Sequence, residues 1–87
     1  MTYRIEIVRA ARKQMLSLPR AAQLVIAKAI DRLASIPRPP KCKKLRGAEL
    51  WRIKLERYRV VYTVDDKSRL VTVLKVAVRR EDTYQGL

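Results

Sequence analysis

The chain has 87 residues, of which 21 are Lys or Arg, 8 are Asp or Glu and none is His, and its formal net charge is +13 at pH 7. A charge this large indicates a polyanion or an acidic protein as the partner. A chain without His and with one Cys, Cys42, lacks the ligands of a zinc site. It also lacks the second Cys of a disulfide and the His of a catalytic triad. The length and a hydrophobic content of 48% indicate one globular domain over residues 1–87.

The first half of the chain predicts one strand followed by a helical hairpin. Residues 2–9 alternate apolar and charged side chains, which is typical of a half-buried strand. Residues 10–17 are rich in helix formers and predict a short helix. Pro19 favours the first turn of a second helix over residues 20–36, with Ser17 as its cap. The apolar stripe of this helix is Ala22, Ile26, Ala29, Ile30 and Leu33.

The second half predicts a loop and three strands joined by short turns. Residues 38–47 contain two adjacent prolines and five cations, so we expect an exposed loop. Residues 51–55 and 58–64 alternate as strands, and residues 70–78 are apolar enough for a central strand. The polar tail, residues 79–87, favours a short helix or an irregular end. The predicted fold class is α+β, with an N-terminal strand, a helical hairpin and an antiparallel meander, and with the helices packed on one face of a four-stranded sheet.

The central strands predict a cationic surface on the face that the helices leave open. Their apolar rows belong on the helix side, which leaves Arg52, Lys54 and Arg59 on the outer side with no carboxylate between them. If residues 56–57 form a two-residue turn, Lys54 lies directly opposite Arg59. In the last strand the odd set can share this outer face, although parity alone leaves the choice of set open: Val71, Val73, Lys75, Ala77 and Arg79.

Two interpretations of this surface follow from the residues. Charged side chains on an open sheet face are often only solvated. A solvated face usually carries both positive and negative side chains, however, whereas this face carries only positive ones and therefore indicates contact with phosphate. Arg can stabilise a phosphorane, and a Lys crowded by Arg loses its proton more readily, so that Lys54 is a candidate base for RNA cleavage by the 2′-hydroxyl. Tyr84 either stacks on a base or packs the tail onto the sheet.

Several segments in this order resemble the RelE-type toxins of the RelE/ParE superfamily, which belong to toxin–antitoxin pairs. The resemblance covers nearly the whole chain and includes the early helical hairpin. Four further segments carry it: KLRG at 44–47, WRIKL at 51–55, YRVVYTVDD at 58–66 and VAVRREDTY at 76–84.

The resemblance implies a ribosome-dependent mRNA endonuclease that uses basic residues and a tail Tyr, with no metal or other cofactor. It implies Lys54 as the base, Arg59 as the group that stabilises the transition state, Arg79 as the group that offsets charge on the leaving oxygen, and Tyr84 as the residue that orients the substrate. Arg52 is suited to clamp phosphate rather than to act as a base. The remaining phosphate-binding candidates are Lys43, Lys44, Arg46 and Arg80.

The resemblance also implies a cognate acidic antitoxin that wraps the toxin in a hetero-oligomer. Two alternatives stay open: a ParE-like toxin that inhibits DNA gyrase, and a catalytically inactive RNA-binding relative. No apolar run approaches the length of a membrane span, and we expect a reduced, cytoplasmic protein.

Overall fold

Two helices and a five-stranded sheet make up the described part of the chain, which in this computed structural model is residues 2–45 and 49–78. The elements in chain order are β1 (Arg4–Ile7), α1 (Arg9–Leu16), α2 (Arg20–Leu33), β2 (Lys43–Lys44), β3 (Trp51–Leu55), β4 (Tyr58–Asp65) and β5 (Leu70–Val78). The strand order is β1-β5-β4-β3-β2, with β1 parallel to β5 and the other neighbours antiparallel.

This architecture confirms the predicted α+β class and the central position of β5. The sheet has five strands rather than four because Lys43 and Lys44, in the predicted loop, pair with Arg52 and Trp51 of β3. The second helix ends at Leu33, three residues before the predicted end at residue 36. Neither described helix is long and apolar enough to cross a membrane.

The link between the helices corrects one prediction. Ser17 does not cap α2, because it lies at the C-terminal end of α1, where its hydroxyl donates to the Gln14 carbonyl at 2.8 Å. Pro19 occupies the N-cap position of α2 with no side-chain hydrogen bond. Gln23 instead closes the hairpin, because its Nε2 donates to the Leu18 carbonyl at 2.8 Å.

The core lies between α2 and the inner face of the sheet. The predicted stripe of α2 is confirmed, since Ile26, Ile30 and Leu33 are at most 2% exposed. They pack with the inner-face residues of the strands, among which Val60 and Tyr62 are fully buried. The Trp51, Leu55, Tyr58 and Val64 side chains pack around this cluster. The predicted inner rows of β3 and β4 are therefore correct.

A β-bulge in β5 decides the choice that parity left open, because the odd residues share the outer face only after the bulge. Tyr62 pairs with Val73, but the preceding Val61 pairs with Lys75, so Leu74 is an extra residue in β5. Before the bulge, Val71 and Val73 are fully buried in the core. After it, the even residue Val76 is buried instead. Simple alternation fails because the extra residue exchanges the two faces of the strand.

A cluster around Asp66 fastens the loop after α2 to the far end of the sheet. Arg38 donates two hydrogen bonds to the Asp66 carboxylate, at 2.9 and 3.1 Å, and the Tyr3 hydroxyl donates a third at 2.7 Å. The Arg38 guanidinium also lies 5.1 Å from the centre of the Trp51 ring. Nearby, the buried Tyr62 donates its hydroxyl hydrogen to the Pro37 carbonyl at 2.8 Å.

These contacts predict that Asp66 contributes to stability only when it is ionised. Its hydrogen bonds, first from Arg38 and then from Tyr3, lower its pKa from the ordinary value of 3.8 to about 2. Because the folded pKa is lower than the unfolded one, the contribution is complete above about pH 4 and is lost as the pH falls toward 2. We expect Asp66→Asn to lower the melting temperature at pH 7 and to match the wild type near pH 2. An equal difference between the two proteins at both pH values would contradict this role.

Candidate nucleic-acid interface

Five cations lie together on the outer face of the sheet, near the end formed by the β3–β4 turn. Opposed residues of an antiparallel pair present their side chains on the same face. Lys43 opposes Arg52, Arg52 opposes Val61, and Val61 opposes Lys75, which makes one row across four strands. Lys54 opposes Arg59, which opposes Ala77 in the second row. We call this surface the cationic face: Lys43, Arg52, Lys54, Arg59 and Lys75.

The cationic face opposes like charges instead of alternating them. Lys54 directly opposes Arg59, and Lys43 directly opposes Arg52. Like charges in opposed positions are destabilising, by roughly 0.2–1 kcal/mol for a pair. On the outer face of β4 the first carboxylate after Arg59 is that of Asp65, six positions or about 20 Å along the strand, and Glu56 lies in the turn two positions after Lys54. This arrangement has an electrostatic cost that an anionic ligand would offset.

The two arginines of the cationic face lie against the sheet, whereas the three lysines are exposed. Arg52 and Arg59 are half-buried. The Nε of Arg59 is buried and has no hydrogen-bond partner among the described residues. Leaving such a donor unpaired costs about 1–3 kcal/mol. Packing against the sheet restricts both guanidinium groups, which suits them to hold a phosphate in a fixed orientation.

The structure brings together some of the predicted site residues and separates others. Arg52, Lys54, Arg59 and Lys43 share the cationic face, as the register shows. Lys44 does not, because it opposes the inner-face residue Trp51 and forms an ion pair with Glu49 at 2.8 Å. Hydrogen bonding to Lys44 lowers the pKa of that carboxylate. Four predicted site residues lie outside the described residues: Arg46, Arg79, Arg80 and Tyr84.

Lys75 is the member of the cationic face that was not predicted as a site residue. The sequence placed it among the odd residues of the last strand, but those residues include Val71 and Val73, which belong to the core. A signal was available, because Lys75 is the only charged residue of β5. A lysine inside such a strand is best accommodated on the outer face, whatever the parity of its neighbours.

A second feature is a groove between α2 and β3, which meets the cationic face at Lys54. Its volume is about 610 Å³, and its apolar lining comes from both elements. Four cations line it, Lys28, Arg32, Lys41 and Lys54, together with one acid, Glu56. Within the described residues, β2 covers only the first half of β3, as far as Arg52. The groove therefore combines apolar surface, positive charge and a strand edge.

Comparisons with known proteins agree on the family. The model of the ParE toxin of the type II toxin–antitoxin system, parDE, matches residues 5–83. The archaeal RelE of a RelE–RelB complex from Pyrococcus horikoshii OT3 is 33% identical, with a TM-score of 0.83, and the match covers 93% of this chain and 99% of that one.

Two further solved structures are similar over almost their whole length. The isolated E. coli RelE toxin is 28% identical with a TM-score of 0.81, covering 97% of this chain and 93% of that one. A chain of the RelBE2 toxin–antitoxin complex from Mycobacterium tuberculosis is 28% identical with a TM-score of 0.77. The match covers 91% of this chain and 100% of that one. A search of curated protein sequences finds no match. The family model, which spans most of the sequence, and these structures together show that the chain belongs to the RelE/ParE superfamily of toxins from type II toxin–antitoxin systems.

Proposed function

We propose that this toxin is a ribosome-dependent endoribonuclease that cuts mRNA and thereby inhibits translation. The observation that supports this most is the cationic face itself, in which Lys54 directly opposes Arg59 and Arg52 stands in the neighbouring row. A phosphodiester in the transition state of cleavage carries more negative charge than in the ground state. Preorganised cations that repel one another in the free protein stabilise that charge without further reorganisation.

The proposed chemistry is attack of the ribose 2′-oxygen on the adjacent phosphorus. Lys54, as a neutral amine, removes the proton of the 2′-hydroxyl. A bond forms between the 2′-oxygen and phosphorus, and Arg59 stabilises the charge on the non-bridging oxygens. The bond from phosphorus to the 5′-oxygen then breaks, that oxygen takes a proton from water, and Lys54 returns the proton that it removed to the solvent. The products are a 2′,3′-cyclic phosphate and a new 5′-hydroxyl end, and no metal is required.

Two further roles are proposed from the resemblance alone, because Arg79 and Tyr84 lie outside the described part of the chain. Arg79 offsets the charge on the leaving 5′-oxygen, and Tyr84 orients the substrate or stacks on a base. Arg52 and Lys43 bind the flanking phosphates, with Arg46 and Arg80 as further candidates. Positioning of the mRNA in line for attack is assigned to the ribosome, as the resemblance implies.

Mapping of RNA ends in cells tests the proposed activity. Expression of the toxin should produce new mRNA 5′ ends inside translated codons, and these ends should carry hydroxyl groups. The matched control is the same reporter without a start codon, which should stay intact because no ribosome translates it. Growth arrest with intact translated mRNA would exclude the proposed activity.

The proposed partner is a cognate acidic antitoxin, as in the RelE–RelB and RelBE2 complexes to which the chain is similar. The net charge of +13 favours an acidic chain. The groove between α2 and β3 suits an extended segment that alternates apolar and acidic residues, because it offers apolar lining, the four lining cations and part of the β3 edge. Co-expression with the product of an adjacent acidic reading frame should restore growth and give a stable complex. A toxin that remains active in the presence of that product would contradict the pairing.

Inhibition of DNA gyrase is a second candidate function, which the match to the ParE toxin model over residues 5–83 favours. In that case the cationic face would not act on RNA. Purified toxin would then block supercoiling by gyrase and leave translated mRNA intact. A toxin that cuts mRNA and leaves supercoiling unchanged excludes this candidate.

Lys75 should contribute to RNA binding as one phosphate contact. We expect Lys75→Gln to reduce the magnitude of the slope of log affinity against log salt by about 0.7, the value for one contact on single-stranded nucleic acid. The matched control is Lys67→Gln in the β4–β5 turn, at the other end of the sheet, which should leave the slope unchanged. Titration of a fluorescent RNA at several salt concentrations measures both. Equal slopes for Lys75→Gln and the wild type would remove Lys75 from the interface.

A further inference from the structure

The side chain of Gln14 reaches from α1 to the segment of β5 that follows the bulge. Its Oε1 accepts a hydrogen bond from the backbone N–H of Val76 at 2.7 Å, across 62 positions of sequence. β1 pairs with β5 only as far as Val73, because the chain turns into α1 after Ile7. Val76 therefore lies beyond the last residue of β5 that pairs with β1, and the Gln14 side chain supplies the acceptor for its N–H. This bond joins α1 directly to the backbone of the bulged strand.

The bulge decides which residues of β5 contribute to the cationic face. With Leu74 as the extra residue, Lys75 opposes the outer-face residue Val61, and Val76 enters the core. In a regular strand Lys75 would follow the parity of Val73, which is fully buried. A slip of one residue would therefore turn Lys75 toward the core and Val76 toward solvent.

We propose that Gln14 is a positioning residue for the cationic face: by holding the Val76 N–H it fixes the bulge and so keeps Lys75 beside Arg52 and Arg59. A bulge interrupts the ladder and leaves backbone groups in need of partners. The Gln14 side-chain oxygen meets this need as an acceptor for the Val76 N–H. The importance of Gln14 for RNA cleavage rests on the proposed function, whereas its effect on the bulge does not.

Three substitutions at Gln14 and one control elsewhere separate positioning from general stability. Gln14→Met keeps the length but removes the acceptor, Gln14→Asn keeps the amide but shortens the reach, and Gln14→Glu keeps an acceptor oxygen at the same length. The matched control is Gln23→Met, which removes a half-buried side-chain hydrogen bond of 2.8 Å in the helical hairpin. All four are made in the full chain. Hydrogen exchange of the Val76 amide, the NMR contacts of Lys75 with Val61, melting temperature and cleavage rate are then measured.

We expect Gln14→Met and Gln14→Asn to speed hydrogen exchange of the Val76 amide about tenfold or more and to weaken the NMR contacts between Lys75 and Val61. Both variants should cleave about tenfold more slowly, an effect that corresponds to the loss of one hydrogen bond. Gln14→Glu should keep wild-type exchange and cleavage. Gln23→Met should lower the melting temperature about as much as Gln14→Met does. It should leave the exchange rate of the Val76 amide and the cleavage rate unchanged. If Gln14→Met does not fold, Gln14→Asn decides the matter.

Two results would overturn this inference. One is wild-type protection of the Val76 amide in Gln14→Asn. The other is fast hydrogen exchange of the Val76 amide in a Gln14 variant that still cleaves RNA as fast as the wild type. If the wild type cuts no RNA at all, the proposed function fails, but the exchange and the Lys75 contacts still show whether Gln14 fixes the bulge.

Discussion

Simultaneous replacement of Lys54 and Arg59 with Ala is expected to reduce mRNA cleavage by about 100-fold or more, since a positioned general base alone contributes roughly 10²–10⁴-fold. The protein should still fold, because the two residues lie opposite each other on the outer face and like charges in opposed positions do not stabilise a sheet. We expect its free energy of unfolding to be no more than about 0.5 kcal/mol below that of the wild type, because the change also removes the like-charge pair and the unpaired Nε of Arg59. Single-turnover cleavage of ribosome-bound mRNA and urea unfolding measure the two quantities.

The matched control for this variant is Lys13→Ala/Lys67→Ala, which also removes two exposed cations but takes them from α1 and the β4–β5 turn. Both double variants have the same net charge, so a loss of activity that depends on total charge alone affects them equally. A Lys54→Ala/Arg59→Ala toxin that cleaves like its control would refute the catalytic role of the cationic face.

A substitution in the hydrophobic core should change the free energy of unfolding strongly. Leu33→Ala is expected to destabilise the protein by about 2–5 kcal/mol, because Leu33 is 1% exposed and its truncation leaves a cavity between α2 and the sheet. A chain of this length has a total stability of roughly 4–13 kcal/mol, so this single change removes a large share of it. Leu24→Ala, on the same helix, should change stability by less than about 0.5 kcal/mol because Leu24 is 54% exposed.

Urea unfolding of the two leucine variants gives this comparison directly. The pair has the same chemical change in the same helix, so helix propensity affects both equally. Similar losses of stability in Leu24→Ala and Leu33→Ala would mean that the core does not lie where the structure places it.

The parts of the fold that depend on local alternation could be predicted from the sequence. Apolar residues at every second position of β3 and β4 fix which side faces the helices, and a slip of one residue would bury Lys54 and Arg59. The condition set for Lys54 to oppose Arg59, a two-residue turn at residues 56–57, is also met. The stripe of α2 was predictable for the analogous reason, because it repeats with the helical period.

The features that were missed depend on contacts between distant parts of the chain. The bulge at Leu74 is supported by Gln14, which is 62 positions from its partner Val76, and nothing in the local pattern of β5 indicates it. The strand β2 consists of two lysines in a basic, proline-rich segment, and its formation depends on the free edge of β3. Lys75 was named for the outer face but not as a site residue, and the pairing of Lys44 with the inner-face residue Trp51 had no local signal.

In the proposed mechanism, the Lys54 side chain takes the place of a histidine as the base that activates the 2′-hydroxyl. Lys54→Arg tests it most directly, because it keeps the positive charge and phosphate contact but replaces the amine with a group that does not lose its proton. In single-turnover cleavage of ribosome-bound mRNA, we expect this variant to bind like the wild type and to cut about 100-fold more slowly or worse. Cleavage by Lys54→Arg at the wild-type rate would contradict the claim and leave the cationic face as a phosphate-binding surface alone.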